Sequence, residues 1–180
     1  MQQLKKGDEA ALRLLMKQYG DYLLRTSYLL LKDRQAAEEA VQDTFISAFQ
    51  KIEQLRDPDQ LKSWLTRIAI NRCRMRQRTW SWRMLLPFAR MDEAWSGAGE
   101  DQFEPATEER FLLEWQGERL SDAVQRLEYR YREAITLFYY GEFSVREIAL
   151  QTGAKENTVK ARLARGRKQL RAIIEQEGMA

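Results

Sequence analysis

The chain has 180 residues, of which 32% are charged, with a formal net charge of +3 and a sequence pI near 9.0. Its single cysteine excludes an internal disulfide, and the absence of histidine excludes histidine-based triads and the common Cys/His zinc sites. An enzyme is therefore disfavoured, although carboxylate or lysine chemistry stays open. No stretch reaches the roughly 18 apolar residues of a membrane span, and the first residues lack the apolar core of a secretory signal, so we expect a cytoplasmic protein.

Two capping aspartates mark helices in the first part of the chain. Gly7-Asp8 is expected to open a helix, because aspartate accepts hydrogen bonds from the free amides of a first turn. The predicted apolar stripe of this helix comprises Leu12, Leu15, Met16 and Tyr19. Gly20-Asp21 is a candidate break before a second apolar helical stretch at 22–31, and Asp33 is expected to cap a third helix.

The third helix has two different faces. Its predicted buried face comprises Ala37, Val41, Phe45, Ala48 and Ile52. A compact group on nearly the opposite side, called the acidic patch below, comprises Glu39, Gln42 and Asp43. Such a patch can dock onto a basic protein surface, although an ordinary solvated helix face has the same composition.

A loop and a basic helix follow. Residues 55–60, LRDPDQ, are predicted to form a loop, because Asp57 precedes a proline, and Asp59 is a candidate cap for the next helix. That helix is predicted to bury Leu61, Trp64, Leu65, Ile68 and Met75. A polar stripe along its flank, called the arginine stripe below, comprises Ser63, Arg67, Asn71, Arg74 and Arg78.

The arginine stripe has the composition of a nucleic-acid surface. Arginine pairs phosphates bidentately and stacks on bases, and asparagine offers a donor and an acceptor to a base edge. A salt-bridged surface helix would need nearby acids, yet residues 62–91 contain eight basic residues and no acid. We therefore expect the stripe to contact nucleic acid. Arg72 lies on the apolar side, where its stem snorkels or meets a partner, and Cys73 is expected to be a small packing residue.

Residues 80–107 are predicted to be a linker. The segment begins with apolar and aromatic residues and ends acidic, since residues 91–109 hold seven acids and no base. One interpretation is a flexible tether. The apolar residues at its start are too many for an inert tether, and they would pack on the first domain or be covered by an inhibitory partner; they are Trp80, Trp82, Leu85, Leu86 and Phe88.

Residues 144–171, SVREIALQTGAKENTVKARLARGRKQLR, have the pattern of a helix-turn-helix. Ser144 and Glu147 form a Ser-x-x-Glu capping box, and Gly153 ends the first helix because glycine tolerates the left-handed turn conformation. The second helix is predicted to bury Val159, Leu163, Gly166 and Leu170 and to present Asn157, Ala161, Ala164, Arg165 and Lys168 on its other side. From 155 to 171 there are seven basic residues and one acid, which favours a nucleic-acid groove over a solvated cationic face.

A further pair of helices is expected between the linker and this motif. Thr107 and Glu108-Glu109 are predicted to cap the first of them, whose apolar residues are Phe111, Leu112, Trp115 and Leu120. The scaffold under the helix-turn-helix is predicted to comprise Ala134, Ile135, Leu137, Phe138 and Tyr139.

Three segments together resemble bacterial extracytoplasmic-function sigma factors. AAEEAVQDTFISAFQKI, LKSWLTRIAINRCRMRQR and RYREAITLFYYGEFSVREIALQTGAKENTVKARLARGRKQLR are similar to regions 2.2, 2.4 and 4 of that family, in the same order and spacing. The resemblance covers nearly the whole chain apart from the middle linker. The chain departs from the family pattern at Glu128, where a proline is usual, at Lys155, where a capping serine is common, and at Ala161, where a hydroxyl is frequent.

The resemblance implies roles for the surfaces identified above. It implies that Glu39, Gln42 and Asp43 help dock on the coiled coil of the polymerase β′ subunit, and that the β flap is a second contact. It also implies capture of the unpaired minus-ten strand by Asp57, Asp59, Ser63, Arg67, Asn71, Arg74 and Arg78. The minus-thirty-five duplex would be read by Asn157, Thr158, Lys160, Ala161, Arg162, Arg165 and Lys168. The linker acids would lie in the RNA exit path; they are Asp92, Glu93, Glu100, Asp101 and Glu104.

We predict an all-α protein of two small helical domains joined by a flexible linker, the C-terminal one carrying the helix-turn-helix. The expected boundaries are 1–79 for sigma region 2, 80–107 for the linker and 108–180 for sigma region 4. The expected function is promoter recognition for core RNA polymerase, with promoter DNA and an anti-sigma factor as the other partners. No catalytic residue, metal, cofactor or small-molecule substrate is expected, and the anti-sigma factor would hold the protein at the inner face of the membrane.

Two other functions stay open at this point. A stand-alone helix-turn-helix regulator would bind duplex DNA as a dimer without polymerase, with the N-terminal domain serving dimerisation or sensing. A helical enzyme would need a convergent polar pocket, which the pattern does not indicate.

Overall fold

A computed structural model describes residues 2–5, 7–83 and 118–178, and every regular element in these ranges is helical. The first part contains α1 (Gln2–Lys5), α2 (Glu9–Leu31), α3 (Arg34–Lys51) and α4 (Leu61–Arg83), with 3₁₀ turns at Ile52–Gln54 and Pro58–Gln60. The second part contains α5 (Glu118–Arg126), α6 (Tyr129–Ile135), a π-helical turn at Thr136–Tyr140, α7 (Val145–Thr152) and α8 (Glu156–Gly178). The described residues fall into two compact units, one within 1–86 and the other within 87–180. The predicted all-α class is confirmed.

In the first unit, α2, α3 and α4 pack against one another in all three pairings. The core between them is aliphatic and aromatic, with Leu23, Phe45, Ala48 and Leu65 buried. Two predicted caps begin these helices: the Asp8 carboxylate accepts the amide of Ala10 at 2.8 Å, and the Asp33 carboxylate accepts the amide of Ala36 at 2.8 Å. Each cap satisfies an amide that has no partner within the helix, so the helix starts follow from local chemistry.

Three local predictions for this unit are wrong. Helix α2 runs through Gly20-Asp21 without a break, because its packing on both α3 and α4 outweighs the weak helix propensity of glycine. Met16 and Met75, predicted to be buried, are 44% and 59% exposed. The cap before α4 is Asp57, which accepts the amide of Asp59 at 3.0 Å, while Asp59 itself lies in the 3₁₀ turn that leads directly into α4.

The structure shows the surroundings of Cys73 and Arg72, which the sequence left open. Cys73 is fully buried, as expected of a packing residue, and the helical rotation of about 200° from Cys73 to Met75 turns the methionine outward. Arg72 is half-buried, and its guanidinium donates a hydrogen bond to the Ser47 hydroxyl of α3. The arginine on the apolar side therefore finds its partner within the unit.

In the second unit, α5, α6 and α7 each pack on the long helix α8. The family resemblance left the break between α5 and α6 open, because Glu128 stands where a proline is usual. The two helices are separate, with Leu127 and Glu128 between them. Arg132, which is almost fully buried, donates hydrogen bonds to the carbonyls of Gln125 at 3.2 Å and Leu127 at 3.0 Å. A buried guanidinium thus holds the corner where the chain turns.

The predicted scaffold lies under α8, but it is not one regular helix. Ala134, Ile135 and Leu137 are buried, and Phe138 and Tyr139 are half-buried. The chain changes from α-helix to a π-helical turn at Thr136, where the amide of Gly141 bonds to the carbonyl of Thr136 at 3.0 Å. Leu120 is half-buried in α5. The predicted cap at Thr107, the predicted apolar residues Phe111, Leu112 and Trp115, and residues 84–107 of the predicted linker lie outside the described residues. Among the described helices, none is both long enough and apolar enough to cross a membrane.

Candidate protein and nucleic-acid interfaces

The acidic patch lies on the exposed side of α3, as predicted. Gln42 is exposed, and the side chains of Glu39 and Asp43 retain 50% and 43% of their accessible surface. The two carboxylates stand one helical turn apart, so their charges would repel each other if nothing lay between them. The patch is therefore a concentrated negative surface that needs a cation.

Arg76 of α4 supplies that cation. Its Nη1 lies 2.8 Å from Glu39 Oε2 and its Nη2 lies 2.8 Å from Asp43 Oδ2, so one guanidinium bonds both carboxylates. Bonds of this length between charged groups are the stronger class of protein hydrogen bonds. The role of Arg76 could not be predicted from the sequence, because the acids lie more than thirty residues away on another helix. The basic region of α4, which has no acid near it in the sequence, therefore does have acids near it in the fold, and they come from α3.

A groove of about 590 Å³ runs between α3 and α4 beside this ion pair. Its apolar lining includes Leu31, Ala36 and the exposed side of Met75, and its polar lining includes Arg72 and Arg76. Arg72 and Arg76 are four residues apart and both turn toward α3, where Ser47, Glu39 and Asp43 accept their hydrogen bonds. Two of the arginines on α4 thus belong to the α3 contact, and they are distinct from the arginine stripe.

The arginine stripe occupies another side of α4. Arg67, Asn71 and Arg78 are exposed, while Ser63 and Arg74 are half-buried. From Ser63 to Arg78 the stripe follows the helix for about 22 Å, given a rise of about 1.5 Å per residue. The loop before it is exposed at Asp57, Pro58 and Asp59, and the 3₁₀ turn joins it directly to the first turn of α4. The structure therefore brings the predicted loop residues to the N-terminal end of the stripe.

The helix-turn-helix has the predicted geometry. The Ser144 hydroxyl accepts the amide of Glu147 at 3.3 Å, and the Glu147 carboxylate accepts the amide of Ser144 at 3.0 Å, which completes the capping box. Gly153 ends α7 with φ of +70°, in the left-handed region that favours glycine. Val159, Leu163, Gly166 and Leu170 are all buried along α8. The capping box, turn and buried face of the prediction are confirmed.

The outward side of α8 carries the predicted duplex-binding residues. Six of them are exposed, namely Asn157, Thr158, Lys160, Ala161, Arg165 and Lys168. Arg162 is half-buried and has an interaction within the protein, so it contacts its own unit and is also partly accessible to solvent. A helix that buries one side and presents cations and amides on the other has the arrangement of a recognition helix.

Arg132 is the second residue whose role was not predicted from the sequence. Burial lowers the pKa of its guanidinium, and the charges of Tyr129 and Glu133 partly offset that effect. Its cation also lies 5.4 Å from the centre of the Tyr129 ring. In the sequence Arg132 is one of several charged residues between Glu128 and Glu133, and nothing there reveals that it bonds the end of the preceding helix. Arg132 therefore stabilises the fold that supports α8 and is not part of the exposed surface.

Comparison with known proteins identifies the family. The model for Sigma-70 region 2 matches residues 15–83, and the model for Sigma-70 region 4 matches residues 117–170. RNA polymerase sigma factor SigV of Bacillus subtilis is 26% identical over 161 residues, which cover 87% of this chain and 86% of that protein. ECF RNA polymerase sigma factor SigW of the same species is 29% identical over 180 residues, with 95% and 92% covered. SigE of Mycolicibacterium smegmatis, another ECF sigma factor, is 30% identical over 171 residues, with 93% and 64% covered.

Solved structures share the fold. CnrH, in a complex with the cytosolic domain of CnrY, has a TM-score of 0.60 at 24% identity over 97% of this chain and 94% of that one. The sigma factor RpoE of Bartonella quintana, in a complex with the anti-sigma factor NepR, has a TM-score of 0.63 at 22% identity over 89% and 96%. The two family matches fall on the two folded units in the order region 2, region 4, and sigma factors match along nearly the whole chain. The chain therefore belongs to the extracytoplasmic-function group of the sigma-70 family and is a promoter-recognition sigma subunit.

Proposed function

We propose that the two units divide promoter recognition between them. The first unit docks on core RNA polymerase through the acidic patch and captures the melted minus-ten strand along the arginine stripe, and the second unit binds the minus-thirty-five duplex through α8. The observation that carries this proposal is the pairing, in one chain, of a stripe suited to single strands with a recognition helix suited to a major groove. The boundaries 1–79, 80–107 and 108–180 remain our proposal for the two domains and the linker.

The acidic patch suits a basic protein surface. Glu39, Gln42 and Asp43 share one exposed side of α3, and half-exposed carboxylates can steer association with a cationic partner. We propose that the partner is the β′ coiled coil of the polymerase, with the β flap as a contact of the second unit. We expect binding of the isolated protein to DNA to be weak and to gain specificity from the polymerase complex.

The arginine stripe and its loop suit unpaired nucleotides. Arg67 and Arg78 can bond phosphates and stack on bases, and the amide of Asn71 can donate to and accept from the edge of a base. Asp57 and Asp59, at the exposed loop, offer acceptors to base amino groups. We propose that these residues, with Ser63 and Arg74, hold the melted minus-ten strand.

The outward face of α8 suits a major groove. Asn157, Thr158, Lys160 and Arg165 lie on the first three turns of the helix, where a recognition helix meets base edges, and Lys168 follows one turn later. Ala161 in the middle of this face can contact a thymine methyl group rather than donate a hydrogen bond. Arg162 completes the proposed set.

We also propose an anti-sigma factor as the regulatory partner. Two proteins of this fold were solved in complexes with other proteins, and one of those partners is an anti-sigma factor. The protein would act in the cytoplasm, at the inner face of the membrane when inhibited, and would catalyse no reaction of its own. The alternative of a stand-alone dimeric regulator is not favoured, because the first unit also matches the sigma-70 family.

The experiment compares open-complex formation with polymerase binding for Asn71→Ala and Arg74→Ala. Arg13→Ala is the matched control, since it removes an exposed arginine on α2 that pairs with Glu9 and lies outside the stripe. We expect both stripe variants to bind core polymerase like the unmodified protein and to lower strand opening, measured by permanganate reactivity of promoter thymines, about tenfold or more. Equal loss of both activities would contradict the division of roles between the acidic patch and the stripe.

A further inference from the structure

We propose that Arg76 is a positioning residue that holds the acidic patch in its docking geometry and so slows the release of core polymerase. This inference rests on the proposed docking role of Glu39 and Asp43. Arg76 itself lies on α4, outside the patch and outside the arginine stripe. Three features of the ion pair give Arg76 this role: its geometry, its burial and its net charge.

The geometry leaves the patch able to bind. Arg76 bonds one oxygen of each carboxylate, Oε2 of Glu39 and Oδ2 of Asp43. A carboxylate has about four acceptor positions on its two oxygens, so each group keeps capacity for a second cation on its outward side. Gln35 uses part of that capacity at Glu39, through a long contact of 3.5 Å to Oε1. The two bonds from the Arg76 guanidinium therefore fix the direction of both carboxylates without using all of their acceptor positions.

The burial of Arg76 makes the arrangement rigid. Its side chain retains 30% of its accessible surface, less than either carboxylate, and it lines the groove between α3 and α4 beside Met75 and Thr79. A planar guanidinium held in this way has few alternative orientations. Glu39 and Asp43 are thus ordered before the partner arrives, and ordering that occurs on folding need not occur on binding. We expect the complex to last longer for this reason.

The net charge has the opposite effect on association. Two carboxylates and one guanidinium leave the acidic patch with a net charge of about −1 instead of about −2. A weaker negative field steers a basic partner less strongly, so Arg76 lowers the association rate while it lengthens the lifetime of the complex. Replacement of a residue that only stabilised the fold would not speed both association and dissociation.

The test measures both rates for the full-length protein binding core polymerase. Arg76→Gln removes both the charge and the guanidinium that bonds two carboxylates. Arg76→Lys keeps the charge, but its ammonium group reaches one carboxylate at a time. Arg34→Gln is the matched control, because Arg34 forms a 2.9 Å pair with Glu38 on the same helix but does not contact the patch. A fourth variant, Glu39→Gln with Asp43→Asn, tests the docking role itself. Circular dichroism and thermal unfolding establish that each variant folds.

We expect Arg76→Gln to speed dissociation about tenfold and to speed association about twofold at low salt, with a steeper dependence on salt. Arg76→Lys should leave association unchanged and still speed dissociation, and Arg34→Gln should leave dissociation unchanged. If Glu39→Gln with Asp43→Asn weakens binding but Arg76→Gln leaves dissociation within twofold, the inference on Arg76 is wrong and the docking role stands. If the carboxylate variant binds normally, the docking role is wrong, and with it this inference.

Discussion

Gly166 of α8 and Ile135 of α6 lie so close that a β-carbon on Gly166 would stand 2.9 Å from Cγ1 of Ile135. Carbon atoms in van der Waals contact lie about 3.5–4.0 Å apart, so no side chain fits there without movement. Both residues are buried, and α6 and α8 pack along this line. The absence of a side chain at Gly166 therefore sets how near the recognition helix lies to its scaffold.

Gly166→Ala should move α8 away from α6. Overpacking costs about 1–3 kcal/mol, and the better helix propensity of alanine offsets up to about 1 kcal/mol of it, so we expect a net loss of about 1 kcal/mol. Urea denaturation with hydrogen exchange of α8 amides measures this loss. Gly20→Ala is the control, because no packing neighbour among the described residues lies within 4 Å of a β-carbon there, and it should stabilise α2. A similar gain in stability for both variants would show that the close approach of Gly166 to Ile135 does not constrain α8.

Arg132→Met should destabilise the second unit by about 1–3 kcal/mol, because the carbonyls of Gln125 and Leu127 lose their donor inside the protein. Arg130→Met, which removes an exposed arginine paired with Glu128, should cost less than about 1 kcal/mol. Urea denaturation of the full-length protein compares the two. Similar losses for both variants would mean that the buried guanidinium does not hold the corner between α5 and α6.

Ser144→Ala should cost about 1 kcal/mol through loss of the cap at the start of α7. Ser144→Asp should retain most of the stability, since aspartate is also a strong N-cap. Thermal unfolding and the exchange rate of the Glu147 amide distinguish the two variants. An unchanged exchange rate in Ser144→Ala would indicate that the hydroxyl bond contributes nothing in solution.

Lys168→Gln should weaken binding of the polymerase complex to minus-thirty-five duplex and lower the slope of log affinity against log salt by about 1, if Lys168 contacts one phosphate. Lys17→Gln, on an exposed position of α2 in the other unit, is the control and should leave the slope unchanged. Fluorescence anisotropy over a series of salt concentrations gives the slopes. Identical slopes for the two variants would remove Lys168 from the duplex contact.

Local patterns were enough to predict the features that depend on neighbouring residues. The caps at Asp8, Asp33 and Ser144 and the left-handed turn at Gly153 involve groups within three residues, and all of them were found from the sequence. The buried positions of α8 followed in the same way, because helical spacing determines which side chains share a face.

Features that depend on distant residues were not predictable. Whether Met75 is buried depends on which side of α4 faces α2 and α3, and one periodic pattern fits more than one rotation of the helix. The bond from Arg76 to Glu39 joins residues on different helices, and the bonds from Arg132 depend on how α5 meets α6. Charge counts along the chain indicate the surplus of arginine but not its partners.

We propose that this protein directs polymerase to promoters through two separate contacts with DNA. The most direct test is transcription of a promoter library by bacterial core RNA polymerase, with and without the full-length protein. We predict initiation that requires the protein and occurs at a shared two-part sequence, one element for α8 and one for the arginine stripe. Tight binding to duplex DNA as a dimer, with no association with polymerase and no initiation, would contradict the claim.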